Sequence, residues 1–501
     1  MSRRLFADAL LRLVIPSGVL VRVVSELLNG VRDVCLVSAS PMMPRQLLNA
    51  LWSFERDEAI KNPFVFRGDT QANRNKLRKH TLNILACAGN GESARAAQGI
   101  LQDLRRRTFI TVMTRLLPRI LPLSTLRSAS TLIMDENKEQ QDGAKAARGK
   151  GVFHPQLVIL LCLFHFLTMK LKDPDHFGTD HVAPGVFKRI LATLWSVATY
   201  CETRREAMLT LQCLRAYGRR VLQASKFAKL CLFIGHAIAL FPMWALFCLR
   251  LLLTFGQFTS SSVEGDQSVI SRSTRGGFGL DASSELHTII DKGGHSNHVR
   301  RIERKLKLNK LQSQQRFGID GVLQEAARLL QPKACSALET KLERAMHLEV
   351  EFCLQEGAIG RHGKIRRTPI EPRTHSEDQG VGPSFERVRI VVLCRHEDGH
   401  FFLLCSCFWY QKYLHPCECS LAVKHLRVNV FEDVSFVWHL SYANMDASEI
   451  HESKFKADIH MGKLDGPGVK GLRAADLDRA IAECPADRNG VLAWLKQGGS
   501  Q

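Results

Sequence analysis

The stretch Ser130-Thr-Leu-Ile-Met-Asp-Glu-Asn137 decides the fold of this chain. Its apolar run, TLIM, stops abruptly at Asp135. A short apolar run bounded by polar residues is consistent with a buried strand, and a carboxylate at the C-terminal end of such a strand is a common site geometry in α/β sheets. We therefore predict a strand that presents Asp135 at one end of a sheet.

Two more strands are predicted upstream of this stretch. Residues 62–91 contain PFVFRG, a polar turn, and then TLNILACA, which a Gly-Asn-Gly turn ends. Asp69 directly follows the first of these runs. Residues 92–125 are predicted to be mainly helical, and residues 1–59 are predicted to form an N-terminal helical region.

The downstream sequence is strongly apolar. Residues 156–168 read QLVILLCLFHFLT, and residues 186–258 are predicted to form several helices. Within them, residues 230–249 contain no Lys, Arg, Asp or Glu, and a run of this length can span a bilayer. A buried helix pair broken at Pro242 explains the same run.

The charge balance is unusual. Lys and Arg total 69 and Asp and Glu total 49, which gives a formal net charge of +20. A field of that sign favours polyanions, meaning nucleic acid or an anionic membrane surface. The apolar share of 45% is ordinary for a globular protein, so the chain can form a core. We expect DNA as the partner, and no small-molecule cofactor.

Fifteen cysteines are spread along the chain, and the N-terminal sequence lacks a signal-peptide pattern. We therefore expect an intracellular protein whose cysteines are buried thiols or metal ligands and not disulfides. Four of them form two close pairs, Cys405 with Cys407 and Cys417 with Cys419, on either side of a polar loop. Four thiolates in this arrangement suit Zn²⁺, which prefers a tetrahedron of sulfur or nitrogen ligands.

Alternatives to this zinc site remain within the same segment. His415 and His425 are nearby candidates for the fourth ligand. Four buried core cysteines are the structural alternative, because free cysteine is commonly buried. Pro416 and the polar loop argue against a continuous apolar strand there.

The string FFLLCSCFWYQKYLHPCECSLAV, residues 401–423, resembles the SWIM-type zinc finger. That family has Cys-x-Cys, a loop with an aromatic residue, and then Pro-Cys-x-His before an apolar helix. Cys405, Cys407 and Cys417 match the pattern, while Cys419 stands where the family usually has His. The resemblance implies zinc bound by Cys405, Cys407, Cys417 and Cys419.

Farther upstream, the chain resembles the transposase domain of Mutator-like elements, which often precedes a SWIM module. This resemblance implies an RNase H-like fold and a catalytic triad of Asp69, Asp135 and Glu264 that holds Mg²⁺ or Mn²⁺. Glu202 and Glu206 compete with Glu264 as the third acid. The segment VFHPQLVILLCLFHFLTMKL is similar to the family's Cys-x-x-His segment and gives Cys162 and His165, which core packing also explains.

The patterns and the resemblance together predict an α/β plus α fold, in which an RNase H-like domain with a helical insertion precedes a small SWIM-type module. The predicted order is an N-terminal helical region (1–59), the first part of the RNase H-like domain (60–165), a helical insertion (166–258), the last part of the domain with helices (259–350), a linker (351–385), the zinc finger (386–430) and a tail (431–501).

The predicted function is that of a nuclear, zinc-binding and DNA-binding protein derived from a Mutator-like transposase. If it is active, it belongs to the DDE-type transposases, which transfer phosphoryl groups with divalent metal. One alternative is a non-enzymatic zinc-finger protein that binds DNA or protein. The other is a membrane protein anchored through residues 230–249.

Overall fold

The computed structural model describes residues 21–25, 33–39, 47–53, 55–71, 80–87, 93–101, 103–250, 252–258, 330–345, 349–353, 362–366, 381–383, 388–395, 401–405, 407, 413 and 415–424. Within these ranges the protein has a mixed α/β architecture with two sheets. Glu264, His425 and the tail lie outside the described residues.

The larger sheet has eight strands in the order β1-β2-β3-β6-β5-β4-β7-β8. Neighbours are antiparallel except for β4 with β7 and β7 with β8, which are parallel. The strands are β1 (Val21–Ser25), β2 (Asp33–Ala39), β3 (Leu47–Ser53), β4 (Val65–Gln71), β5 (His80–Cys87), β6 (Ser93–Leu101), β7 (Thr131–Met134) and β8 (Val158–Leu161).

Helices occupy most of the remaining described chain. They are α1 (Arg56–Lys61), α2 (Arg106–Thr111, continued by a π-helical turn Val112–Leu116 and by Leu117–Ile120), α3 (Leu123–Arg127), α4 (Lys138–Gly149), α5 (a π-helical turn Phe164–Met169, continued by Lys170–Lys172), α6 (Pro184–Thr199), α7 (Arg204–Val221), α8 (Ala224–Ala239), α9 (Leu246–Leu249), α10 (Pro332–Ala345) and α11 (Glu418–Lys424).

The predicted strand at the opening stretch is confirmed as β7. All four of its residues are buried, because the sheet is covered on both faces at this point. Successive side chains of a strand point to opposite faces. Leu132 and Met134 therefore join the core under α2 and α4, while Ile133 joins the core on the other face.

The N-terminal prediction is wrong for most of its described residues. Between residues 21 and 53 the chain forms β1, β2 and β3, and α1 is the helix that follows. The sequences of β1 and β2, VRVVS and DVCLVSA, are rich in valine, which favours a pleated and half-buried surface.

The prediction of helix for residues 92–125 is wrong in its first part, where Ser93–Leu101 forms β6. Alanine favours helices, but Ala94, Ala96 and Ala97 are fully buried between neighbouring strands. Tertiary packing outweighs the local preference here. Helix begins only at Arg106.

The predicted helices between residues 186 and 258 are present, and with the preceding α5 they form a body with its own core. Helices α6, α7 and α8 pack around Phe166, Leu194, Leu214 and Trp244. The chain leaves the sheet after β8 and returns to the same place, where the Leu163 N–H donates to the Phe258 carbonyl at 2.8 Å.

The apolar run 230–249 is divided among three short pieces. It covers the end of α8, a 3₁₀ turn at Phe241–Met243 and then α9, and the turn contains Pro242. Among the described residues, no helix has both the length and the apolarity that a membrane span requires. Phe233, Phe241 and Trp244 of this run are buried in the core of the insertion.

The second sheet has four antiparallel strands in the order β12-β11-β10-β9: β9 (Glu349–Cys353), β10 (His362–Arg366), β11 (Val388–Arg395) and β12 (Phe401–Cys405). The prediction of strands before the cysteine cluster is therefore confirmed. The predicted linker 351–385 is corrected, because it contains the end of β9 and all of β10. Backbone hydrogen bonds between β10 and β11 join this segment to the predicted zinc finger.

Candidate metal centres

The first candidate centre lies where three parallel strands end side by side. In the pairing of β4 with β7, Arg67 is opposite Ile133, and the same register two residues later places Asp69 beside Asp135. In the pairing of β7 with β8, Met134 is opposite Leu161, so Cys162 is the next neighbour of Asp135. The structure thus brings the first two predicted acids together.

Asp69 is almost completely buried, with 2% of its surface exposed. Its carboxylate accepts a hydrogen bond of 2.7 Å from the Thr70 N–H. Burial, followed by the charge of Asp135 and a hydrogen bond with it, raises the pKa of Asp69 to about 8. Two carboxyl groups this close cannot both be anionic at low cost unless a cation stands between them.

His165, which lies in the π-helical turn of α5, belongs to the same candidate centre. Its Nδ1 lies 2.6 Å from Oδ1 of Asp135. Burial lowers the pKa of His165, but its contacts with Asp135 and Cys162 outweigh burial and raise the pKa to about 11. Asp135, Cys162 and His165 each offer one ligand atom, and these atoms lie within 4.8 Å of one another, which makes them a group able to hold a metal ion.

The other predicted acids have different positions. Glu264 lies outside the described residues, so the triad is tested only for Asp69 and Asp135. Glu206 accepts a hydrogen bond of 2.7 Å from the Glu202 N–H, at the start of α7. The Glu206 N–H in turn donates to Thr203, the residue that caps α7. The competing acids therefore take part in the end of a helix.

A second charged group beside the acids is missed by sequence reasoning. The carboxylate of Glu136 contacts Lys170 Nζ at 2.6 Å and His236 Nε2 at 2.7 Å. These contacts tie the end of β7 to α5 and to α8 in the insertion. Glu136 directly follows Asp135, which is a signal in the sequence, but its partners are distant along the chain.

The second candidate centre is the cysteine cluster. Cys405 ends β12, Cys407 follows it, and Cys417 directly precedes α11. The sulfur atoms of these three residues lie within 4.8 Å of one another and could hold a metal ion. Cys419 lies close enough to interact with all three. Its interaction with Cys405 lowers the pKa of Cys419, but those with Cys407 and Cys417, together with burial, raise that pKa well above the usual range. Its sulfur is not one of the three that lie within 4.8 Å of one another. The four predicted cysteines are therefore brought together.

The sulfur atoms also receive backbone hydrogen bonds. The Cys407 N–H donates to Cys405 Sγ at 3.5 Å, and the Ser420 N–H donates to Cys417 Sγ at 3.3 Å. Burial raises the pKa of Cys417, but hydrogen bonds from the other three cysteines and from Ser420 outweigh it and hold the pKa well below its usual range. Hydrogen bonding with Cys407, Cys417 and Cys419, in which Cys405 keeps its proton, raises the pKa of Cys405 well above its usual range, and burial adds to the shift. Such a cluster favours one thiolate and disfavours four in the absence of a cation.

His415, the alternative fourth ligand, is buried beside the cluster. Its Nδ1 lies 3.2 Å from the Pro416 carbonyl oxygen, and its ring packs near that of Tyr413 with centroids 5.7 Å apart. Burial lowers the pKa of His415 to about 4, which leaves the ring neutral near pH 7. The other alternative, His425, lies outside the described residues.

Helix α10 is joined to α11, the helix that begins directly after Cys417, by a buried ion pair. Lys341 of α10 and Glu418 of α11 form an ion pair of 2.5 Å, and both side chains are largely buried. Cys405, Cys417 and Leu421 belong to the same buried cluster as Ile133 and Leu160 of the large sheet. The two candidate centres therefore share one core.

Comparison of the chain with models of known protein families and with curated proteins gives no match.

Proposed function

We propose that this protein binds zinc through a SWIM-type module and binds DNA, and that it derives from a Mutator-like transposase with an RNase H-like domain. The observation that carries the proposal is the pairing of Asp69 with Asp135 at the ends of β4 and β7, in the same core as the four cysteines. The resemblance predicts both the acid pair and the cysteine pairs, and core packing alone gives no reason for two carboxylates to lie side by side.

The strand arrangement supports an RNase H-like domain. Strands β4, β5 and β6 form an antiparallel meander, and β7 and β8 continue the sheet in parallel on the other side of β4. Asp69 of β4 and Asp135, directly after β7, lie on neighbouring parallel strands, which supports a paired-acid site of the kind that the resemblance implies.

The acid pair would hold Mg²⁺ or Mn²⁺ if the protein is catalytic. Such ions, when bound, activate the attacking oxygen and stabilise the leaving oxygen of a phosphoryl transfer. The chain's own contribution is position and burial. The Thr70 N–H fixes the carboxylate of Asp69, and the Gln141 side chain donates to the Asp135 carbonyl at 3.4 Å. The first contact orients the Asp69 carboxylate, and the second fixes the backbone of Asp135 at the end of β7.

The donor set of the cysteine cluster supports zinc over harder ions. Thiolate ligands favour Zn²⁺ strongly over Mg²⁺ or Ca²⁺. Backbone N–H groups that donate to Cys405 and Cys417 orient the sulfur atoms. In this proposal Cys405, Cys407, Cys417 and Cys419 are the ligands.

A basic surface on the insertion supports a polyanionic partner. We define the insertion surface by Arg189, Arg219, Arg220, Lys226 and Lys229, at one end of α6, α7 and α8. Arg189, Arg219 and Lys226 each lie 5.7 Å from the centre of an aromatic ring, which orients them. Helices α6 and α8 contain no acidic residue. Phosphate contacts of this kind supply most of the affinity for nucleic acid.

Nicking of supercoiled plasmid by the full-length protein with Mn²⁺ tests the proposed chemistry, and a DNA-binding titration tests the partner. We expect DNA binding in the wild type and nicking that Asp69→Asn and Asp135→Asn abolish while binding persists. Asp57→Asn, an exposed acid of α1 outside the insertion, is the matched control and leaves both unchanged. Absence of DNA binding would contradict the whole proposal.

A second function is favoured by one observation. His165 contacts Asp135 at 2.6 Å, so a carboxylate that a catalytic cation would need already has a basic partner. A non-enzymatic DNA-binding protein that keeps the scaffold fits this contact. DNA and zinc binding without nicking, in the wild type and in Asp69→Asn alike, would decide for this second function.

A further inference from the structure

Asp135, Cys162 and His165 form a compact group of three different ligand types. Their ligand atoms are within 4.8 Å of one another. Cys162 is fully buried, and the side chains of Asp135 and His165 are partly exposed, at 22% and 26%. The group is therefore closed toward the core and open toward solvent, which leaves an ion a route into it.

The chemistry of this group differs from that of an acid pair. Zn²⁺ accepts thiolate, imidazole and carboxylate, with bonds of about 2.0–2.3 Å, so its ligand atoms stand roughly 3–4 Å apart. Mg²⁺ prefers oxygen ligands in an octahedron and has little affinity for a thiol. Cys162 offers a sulfur and His165 an imidazole nitrogen beside Asp135, so the group prefers Zn²⁺ to Mg²⁺.

Backbone structure holds the three ligands in place before any ion arrives. The Cys162 N–H donates to the Met134 carbonyl at 2.8 Å, which fixes Cys162 beside Asp135. The π-helical turn of α5 carries His165 over the strand ends, and single π-helical turns are frequent at functional sites. Phe164 packs edge-on against the His165 ring with centroids 5.7 Å apart.

We propose that Asp135, Cys162 and His165 bind a second zinc ion, separate from the ion of the cysteine cluster. Three protein ligands leave a fourth position for water or for Asp69, as in zinc sites that keep an open position. Because this ion takes Asp135, it competes with Mg²⁺ or Mn²⁺ at the acid pair. The competition, unlike the zinc binding itself, rests on the proposed phosphoryl transfer.

Zinc content of the purified full-length protein tests the site. We expect two zinc ions per chain in the wild type. Cys405→Ser combined with Cys417→Ser removes one, Cys162→Ser combined with His165→Gln removes the other, and all four changes together remove both. Cys248→Ser combined with His176→Gln changes an exposed cysteine and an exposed histidine and keeps both ions.

Cobalt substitution keeps the test decisive if a double variant folds poorly. Co²⁺ in the wild type would show thiolate charge-transfer absorption from both sites. In the background of Cys405→Ser with Cys417→Ser, we expect a weak remaining thiolate band that His165→Gln shifts and Cys162→Ser abolishes. A background variant that folds, as circular dichroism shows, yet has neither zinc nor a thiolate band, would overturn the proposal.

The regulatory part has its own measurement. If Mn²⁺-dependent nicking is observed, added Zn²⁺ should inhibit it in the wild type and at least tenfold less effectively in Cys162→Ser. Equal inhibition of both would overturn the competition. Zinc counting needs no DNA, so a protein that binds two zinc ions without nicking keeps this inference while the catalytic proposal fails.

Discussion

Arg67 is the residue that departs most from what a buried strand usually carries. It lies in β4 with 2% of its surface exposed. Its guanidinium donates to the Gln257 side-chain oxygen at 3.0 Å and to the Ser93 hydroxyl. One buried cation thus joins β4, β6 and the returning end of the insertion.

Replacing Arg67 with Ala should destabilise the protein, because the truncation leaves a cavity and removes a buried donor from Gln257 and Ser93. We expect the free energy of unfolding to fall by about 1–3 kcal/mol. Chemical denaturation of the full-length protein measures this. Arg107→Ala, at an exposed position, should stay within about 0.5 kcal/mol of the wild type. Equal stability of the two variants would contradict the role of Arg67.

At the scale of residues, the sequence predicts which side chains cluster near one another along the chain better than it predicts hydrogen-bond partners that are distant along the chain. Cys405, Cys407, Cys417 and Cys419 could be found because their spacing is itself the signal. The buried hydrogen bonds of Arg67 could not, because its partner Gln257 is 190 residues away. In the sequence, Arg67 only interrupts an otherwise apolar strand.

Among the elements, α4 depends on the residue that follows the acid strand. Asn137 caps this helix, and its side chain accepts a hydrogen bond of 2.9 Å from the Gln140 N–H. The Gln140 side chain then donates to the Thr70 hydroxyl at 2.7 Å. The cap therefore helps to position the helix against the residue next to Asp69.

Asn137→Ala should cost about 0.5–2 kcal/mol of stability, because the N–H in the first turn is left without its acceptor. Thermal unfolding monitored by circular dichroism measures the decrease. Asn137→Ser keeps a capping oxygen and should restore most of the stability. If Ser and Ala are equally destabilising, the cap is not the cause.

The contact between the cysteine segment and the returning end of the insertion is a second element-scale feature. Gly256 has a φ of +71°, and a Cβ placed on it would meet the Tyr413 ring at 2.6 Å. Gly256→Ala should therefore destabilise the protein by at least about 1–2 kcal/mol, the usual cost of left-handed backbone for a residue with a Cβ.

A double-mutant cycle separates the two causes of that destabilisation. Tyr413→Ala removes the ring that the new methyl group would meet, so the two changes together should cost less than the sum of the single changes. Additive effects in urea unfolding would mean that the backbone conformation alone is responsible.

A helix or strand can be predicted from the sequence when its own residues favour it, and cannot be predicted when distant strands stabilise it. β7 follows from a short apolar run, and the break at Pro242 follows from the missing N–H of proline. β6 does not follow, because its alanines favour helix and only the neighbouring strands make it extended. The strand β10 is similarly hidden in a polar segment, because its pairing partners supply the stability.

At the scale of the whole molecule, the insertion surface is one place where the role of positive charge can be tested. Arg219 and Arg220 are exposed on the insertion surface at the end of α7. Arg219→Glu combined with Arg220→Glu should weaken DNA binding and lower the slope of log affinity against log salt by about 1 for each phosphate that these arginines neutralise in the wild type. Fluorescence anisotropy at several salt concentrations measures both.

The matched control changes charge equally at another place. Arg115→Glu combined with Arg119→Glu alters two exposed arginines of α2, away from the insertion surface. The salt slope should stay closer to that of the wild type. An equal decrease of the slope in both variants would mean that net charge, and not the insertion surface, governs binding.

The order of the parts could be predicted from the sequence, but their shared core could not. The succession of acid strand, helical insertion and cysteine pairs is visible in composition and spacing. The packing of Cys417 and Leu421 in one cluster with Ile133 joins segments almost 300 residues apart. No local pattern records a contact of that range.

The hydrogen bond from the Leu163 N–H to the Phe258 carbonyl has a consequence for how such a molecule can be built. The two ends of the insertion lie side by side, so the helices between them leave the sheet and return to it at the same place. Evolution could lengthen, trim or exchange those helices without stretching β8 or moving the acids. The sheet can therefore keep its two neighbouring acids in place while the helices of the insertion change.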